Sequence, residues 1–183
     1  MIAAVRPGGR LITSARLSAR HALRRHLFRY DYFEAHIRRP ECVGAWPAFW
    51  LLGEDDRFGW PECGESDVME APVGPETAGQ IHQGTHSPGG DGDAVSAGVR
   101  PSAGQPEFHT YAACWEPGAV TFLIDDHETG TVKRSTVEEV GGHWRFDERR
   151  LVPVLNVAVG GWAGAPGSWW RAEMVVAWVR IWA

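Results

Sequence analysis

The chain has 183 residues, 44% of them hydrophobic, with 22 glycines, 12 prolines and a net charge of −5. It is long enough for one sizeable core and too apolar for a disordered chain. The charge is uneven, +7 over residues 1–40 and −12 over the rest, so the body is acidic and lacks the basic patch that nucleic acid requires. No stretch approaches the length of a membrane span, so no membrane partner is expected. The start lacks the apolar region of a signal peptide.

Short apolar runs separated by Gly and Pro clusters predict many strands and turns, hence an all-β sandwich or barrel. Residues 11–20 and 29–38 read as strands. In the second, Tyr30, Tyr32, Glu34 and His36 share one face, and Asp31, Phe33, Ala35 and Ile37 the other. Residues 18–27 between them also fit a short amphipathic helix, though a strand-turn-strand reading is preferred. Residues 46–52, Trp-Pro-Ala-Phe-Trp-Leu-Leu, form a near-continuous apolar run suited to a central strand, followed by a polar loop over 54–59. Strands are predicted over 65–71 and 80–86, with a loop at 87–92. A strand pair over 108–116 and 120–125 surrounds Pro117-Gly118. Asp125 to Glu128 turns into a further strand through Thr131-Val132, and two more strands cover 151–159 and 174–182. No long helix, linker or repeat interrupts residues 1–183, which read as a single domain. Cys42, Cys63 and Cys114 lack C-x-x-C spacing, which argues against a zinc or redox motif and leaves room for at most one disulfide.

Glu65-Ser66-Asp67-Val68-Met69-Glu70 places three carboxylates in six residues. On a strand, Glu65 and Asp67 share a face, and one extra residue, a β-bulge, would return Glu70 to it. Such crowding costs stability and points to charges in use. Four regular steps of about 3.3 Å separate the glutamate Cα atoms by roughly 13 Å, and two inward side chains close this to about 6 Å. Retaining glycosidases hold their carboxyl pair about 5–5.5 Å apart, and inverting ones about 6.5–9.5 Å. Ten tryptophans add rigid apolar faces suited to core packing or to stacking on sugar rings.

Several blocks in order resemble glycoside hydrolase family 16, in its laminarinase-like branch. Thr13-Ser14-Ala15-Arg16-Leu17 resembles T-S-G-R-L, and residues 30–40 resemble Y-G-R-F-E-A-R-I-K-x-P. Residues 44–53 resemble G-x-W-P-A-F-W-L-L-G, residues 59–70 G-W-P-x-x-G-E-I-D-I-M-E, and residues 155–161 L-N-x-A-V-G-G. The resemblance implies a β-jelly-roll sandwich of two curved antiparallel sheets with a concave sugar-binding cleft. It implies that Glu65 is the nucleophile, Glu70 the general acid/base and Asp67 the residue that tunes both. Trp46, Trp50, Trp60, His86 and Trp162 are implied substrate-binding positions, with Asn156 as a support. The extra residue, Met69, is similar to the form that cuts internal β-1,3 linkages of glucans. A non-catalytic β-glucan-binding module and a transglycosylase stay open as alternatives. The implied partner is a β-glucan polysaccharide or oligosaccharide, and the implied location is extracellular. No cofactor is required. A structural calcium is a family feature that Asp91, Asp93, Asp125 and Asp126 do not match in spacing, so no metal ligand is assigned. The chain departs from the family pattern at Ser66, where an apolar residue is usual. It departs again at His36 and Tyr32, which replace arginines expected on the sugar side, and in family strands missing before the first block.

Overall fold

The computed structural model describes residues 1–6, 11–20, 27–167 and 170–182. The elements run β1 (Ile2–Arg6), β2 (Arg16–Ser18), β3 (Tyr32–Arg38), β4 (Ala45–Leu52), α1 (Asp55–Phe58), β5 (Glu65–Glu70), β6 (His82–Pro88) and β7 (Ala94–Val99). They continue with β8 (Phe108–Glu116), β9 (Ala119–Ile124), β10 (His127–Lys133), α2 (Arg134–Glu139), β11 (Val152–Val159), a 3-10 turn (Gly161–Ala163) and β12 (Trp170–Trp182). Two six-stranded sheets result, in the orders β1-β12-β3-β8-β9-β10 and β2-β11-β4-β5-β6-β7. The pairings are antiparallel, as the jelly-roll expectation requires. We call the first the outer sheet and the second the cleft sheet.

The core lies between them. Phe33, Ala35 and Ile37 of β3 face it across the gap from Phe49 and Leu51 of β4, with Tyr111, Trp115 and Phe122 filling the space. Truncating one such ring, Phe49→Ala, would cost about 3–5 kcal/mol. Over Tyr32–Arg38 the period-2 burial of β3 matches the alternation read from the sequence, but Tyr30 lies outside the strand at φ +65° and packs edge-on against Trp115 in the core instead of sharing the face of Tyr32. Asp125 and Asp126 both take positive φ, as a two-residue hairpin turn between β9 and β10 demands.

Further features differ from the sequence reading, among them a short helix, α2, where no element was expected. Ile2–Arg6 is a strand, pairing with β12 so that Ile2 and Ala4 are buried. Ala94–Val99 is a strand too, built from small residues that carry a weak β signal. Residues 55–58 make one helical turn instead of a loop, with Asp55 and Asp56 at its acidic start and Arg57 near its end. The strand expected over 11–20 shortens to Arg16–Ser18, and the disputed residues 21–26 lie outside the described residues. All three cysteines are free thiols, Cys63 fully buried.

β3 belongs to the outer sheet, and its buried alternate residues turn His36 and Tyr32 to the outward side. They therefore do not touch the cleft, contrary to the position implied by the resemblance. His36 is instead stacked between Phe108, 5.1 Å away, and Trp178, 5.4 Å away.

Candidate active site

The acidic strand β5 lies inside the cleft sheet, between β4 and β6. Against β4, Glu65 pairs with Leu52, Asp67 with Trp50, Met69 with Phe49 and Glu70 with Ala48. Val68 has no opposite residue, so the bulge expected from the spacing is present, and Val68 rather than Met69 is the extra residue in this register. Both Val68 and Met69 are buried in the core, which uses up one step of alternation and returns Glu70 to the face of Glu65 and Asp67. Ser66 points the other way, as expected. It is 1% exposed and its hydroxyl has no hydrogen-bond partner.

Three rungs cross the cleft sheet, each centred on one carboxylate. Val152, Leu52, Glu65, His86 and Ser96 form the first. Val154, Trp50, Asp67, Gly84 and Gly98 form the second, and Asn156, Ala48, Glu70 and His82 the third. A cleft of about 510 Å³ opens over these rungs, with Asp67, Glu70, His82, His86, Arg100 and Trp162 in its lining. Beside Asp67 the floor has no side chains. A Cβ at Gly98 would lie 2.2 Å from the Gln83 carbonyl oxygen, and one at Gly84 2.7 Å from that of Ala97.

Of the site residues singled out from the sequence, Asp67, Glu70, His86 and Trp162 line this cleft, and Glu65, Trp46, Trp50, Trp60 and Asn156 lie beside it through their contacts. Trp46 donates its indole N–H to Glu70 Oε1 at 2.9 Å. Trp162, carried by the 3-10 turn, stacks on Trp46 at 5.1 Å and 12°. Gly161 makes that possible, since it takes φ +56° and a Cβ there would press to 2.9 Å from the Trp46 ring. Trp50 donates to Asn156 Oδ1 at 2.7 Å, which gives Asn156 its supporting place, and Arg16 lies 4.6 Å over the same ring. Trp60 is 6.2 Å from His86 and lowers the Glu65 carboxyl against its burial. His86 Nε2 lies 3.0 Å from Asp67 Oδ2 and 4.0 Å from Glu65 Oε1, and its Nδ1 is 2.7 Å from Ser96 Oγ.

These contacts set the protonation pattern. Burial, then the charge of Asp67, raises Glu65 from 4.5 to about 7, against the opposing pull of His86, Trp60 and Arg16. The same two causes raise Glu70 from 4.5 to about 8. Burial alone would lower His86, but the hydrogen bond and charge of Asp67, with Glu65 and Glu70, carry it up to about 9. At neutral pH the cluster therefore keeps a proton on Glu70 and a cation at His86, which relieves the crowding of three carboxylates.

Polar atoms of Glu65, Asp67 and His86 lie within 4.8 Å of one another, the only such trio of possible metal ligands found among the described residues. The loop aspartates do not join in one. Asp91 accepts from the backbone of Asp93, and Asp125 from that of Thr110 and from His109. Sequence reasoning missed His82, Ser96, Gly84 and Gly98 as neighbours of the site. His82 and Gly84 were within reach, since period-2 alternation from His86 puts both on its face. Ser96 and Gly98 were not, because the pairing of β7 is non-local.

The family model for glycosyl hydrolases family 16 matches residues 11–180. A beta-glucanase of Rhodothermus marinus is 31% identical over 187 residues, covering 94% of this chain and 63% of that protein. A glucan endo-1,3-beta-glucosidase of Cryptopygus antarcticus is 30% identical over 167 residues, covering 82% and 61%. The endo-beta-1,3-glucanase structure from Pyrococcus furiosus aligns with a TM-score of 0.82 at 32% identity, over 100% of this chain and 73% of that one. The chain thus spans a little under two thirds of the length of the first two relatives. With a family match across nearly its whole length and the bulged acidic strand in place, this chain belongs to glycoside hydrolase family 16.

Proposed function

We propose that this chain is a retaining O-glycosyl hydrolase that cleaves internal β-1,3 linkages of glucans, mixed β-1,3-1,4 glucans included, outside the cell. The observation that carries the reading is the bulge at Val68, which puts Glu65, Asp67 and Glu70 on one cleft face among tryptophans. The β-1,3 preference draws on the names of the relatives.

In the first step the Glu65 carboxylate attacks the anomeric carbon as the glycosidic C–O bond breaks. Glu70 gives its proton to the departing oxygen. The higher position of Glu70, about 8 against about 7 for Glu65, is the order this division of labour needs. In the second step Glu70, now a carboxylate, takes a proton from water. The water oxygen bonds to the anomeric carbon and Glu65 leaves. Burial, and then the negative charge of Asp67, itself hydrogen-bonded by His86, keep the proton on Glu70. Trp46 holds the Glu70 carboxyl in place through its indole N–H, and the exposed rings of Trp60 and Trp162 offer stacking surfaces for sugars. No cofactor enters this scheme.

The test is product analysis on laminarin, curdlan, lichenan and agarose, with Glu65→Gln beside the wild type. Internal cleavage of laminarin, lost in Glu65→Gln, is the expected result. Full activity in Glu65→Gln would remove the nucleophile assignment. Laminarin binding without cleavage would make the chain a binding module. Products longer than the substrate would make it a transglycosylase.

A further inference from the structure

One buried polar side chain behind the cleft takes no part in the chemistry described so far. Gln83 of β6 is 2% exposed and points away from the carboxylates, into the space between the sheets. Its amide nitrogen donates to the Val68 carbonyl at 2.8 Å and reaches the Leu123 carbonyl at 3.4 Å. Its amide oxygen accepts from the Thr129 hydroxyl at 2.6 Å. Val68 is the extra residue of β5. Thr129 is the extra residue of β10, where the register jumps from Glu128 opposite Leu123 to Gly130 opposite Phe122. One glutamine therefore joins the bulge of one sheet to the bulge of the other, with both ends of its amide satisfied.

We propose that Gln83 is the positioning residue for Glu70, holding the backbone of the acidic strand in its bulged form from behind. The proposal rests on the acid/base reading of Glu70 given above. The physical reason is register. A strand that lost its bulge would regain strict alternation, turning Glu70 toward the core and Met69 toward the cleft. A bulge leaves its extra residue outside the ladder, and a buried carbonyl there needs a donor. Gln83 is that donor at Val68. Thr129 in turn fixes the glutamine, its single hydroxyl proton shared between Gln83 Oε1 at 2.6 Å and the Phe122 carbonyl at 3.1 Å, so the support is tied to the outer sheet. The bland alternative is a satisfied core glutamine that affects folding alone.

Gln83→Leu separates the two, since it keeps bulk and removes the hydrogen bonds at both ends of the amide. The expected result is a folded protein whose kcat on laminarin falls roughly 10- to 100-fold, with KM within about twofold. The alkaline limb of its pH profile moves, because Glu70 no longer keeps its place beside Asp67. The indole N–H resonance of Trp46, assigned through Trp46→Phe, shifts as its bond to Glu70 is lost. Thr129→Val shows the same changes to a smaller extent, and Thr129→Ser, which keeps the hydroxyl, restores wild-type behaviour. Wild-type kcat, pH profile and Trp46 resonance in folded Gln83→Leu would overturn the proposal. If Gln83→Leu does not fold, an unchanged Thr129→Val does so instead. A wild type inactive on every glucan removes the catalytic reading, while the Trp46 resonance still decides whether Gln83 places Glu70.

Discussion

The outward face of the outer sheet and the cleft face of the other sheet use the same kinds of side chain to different ends. Outside, His36 stacks between Phe108 and Trp178, with Arg38 5.7 Å over the Phe108 ring and Arg180 4.1 Å over that of Trp178. Glu34 accepts from the Trp182 indole and pairs with Arg180. Every member of that row closes on a neighbour. In the cleft, Trp60 and Trp162 are 54% and 51% exposed, no more than Trp182 of the outer row at 57%, but three carboxylates, Glu65, Asp67 and Glu70, share one face there. A row of rings and charges braces a sheet when its opposite charges pair, and becomes a site when like charges are held together on one face.

The sharpest way to break this comparison is to damage each row in turn. Glu70→Gln should lower kcat on laminarin by about 10²–10⁴-fold, read from initial rates of reducing-end release. Trp178→Ala should leave kcat near the wild-type value. A large loss in folded Trp178→Ala would show that the outer row serves the chemistry after all.

The next effect is on pH dependence. The wild type should show a bell with limbs near about 7, where Glu65 ionises, and about 8, where Glu70 loses its proton. Removing the central charge with Asp67→Asn should move both limbs to lower pH, since Asp67 raises both glutamates. Limbs that stay in place would mean that burial alone sets them.

A smaller effect is on stability. Glu65 and Glu70 are raised from 4.5 to about 7 and about 8, and His86 from 6.5 to about 9. The folded form therefore binds these protons more tightly than the unfolded chain, and stability falls as pH rises through this range. Glu70→Gln has no such proton to lose. Its melting temperature should exceed that of the wild type at pH about 9 by about 2–4 °C, the equivalent of about 1 kcal/mol, and the gain should vanish near pH 4. No change with pH would show that Glu70 is solvated rather than held by the site.

The smallest effect concerns the back of the acidic strand. Ser66→Ala removes a buried hydroxyl without a partner and should stabilise the protein by about 1 kcal/mol without changing kcat. A loss of stability on denaturant unfolding would mean that the hydroxyl has a bond.

Much of the site was legible because its logic is local. The spacing of Glu65, Asp67 and Glu70 demands a bulge on any strand, and the tryptophans lie in motifs beside it. The alternation of residues 32–38 likewise separates a buried from an outward face. It does not say which sheet the strand joins, and His36 was misplaced for that reason. Sheet membership depends on pairing with β12 and β8, residues far away in sequence. The strand at Ala94–Val99 escaped notice because small residues carry little pattern. Gln83 escaped because its importance lies in two bulges that only the fold brings to either side of it.

The bare floor at Gly84 and Gly98 has a consequence for anyone redesigning the cleft. Any larger residue there would drive its first carbon into a main-chain oxygen of the adjoining strand. The ground under Asp67 can therefore be neither raised nor decorated by substitution. Changes of sugar preference must come from the walls, from Trp60 and Trp162 or from Arg100, where side chains reach in from the rim.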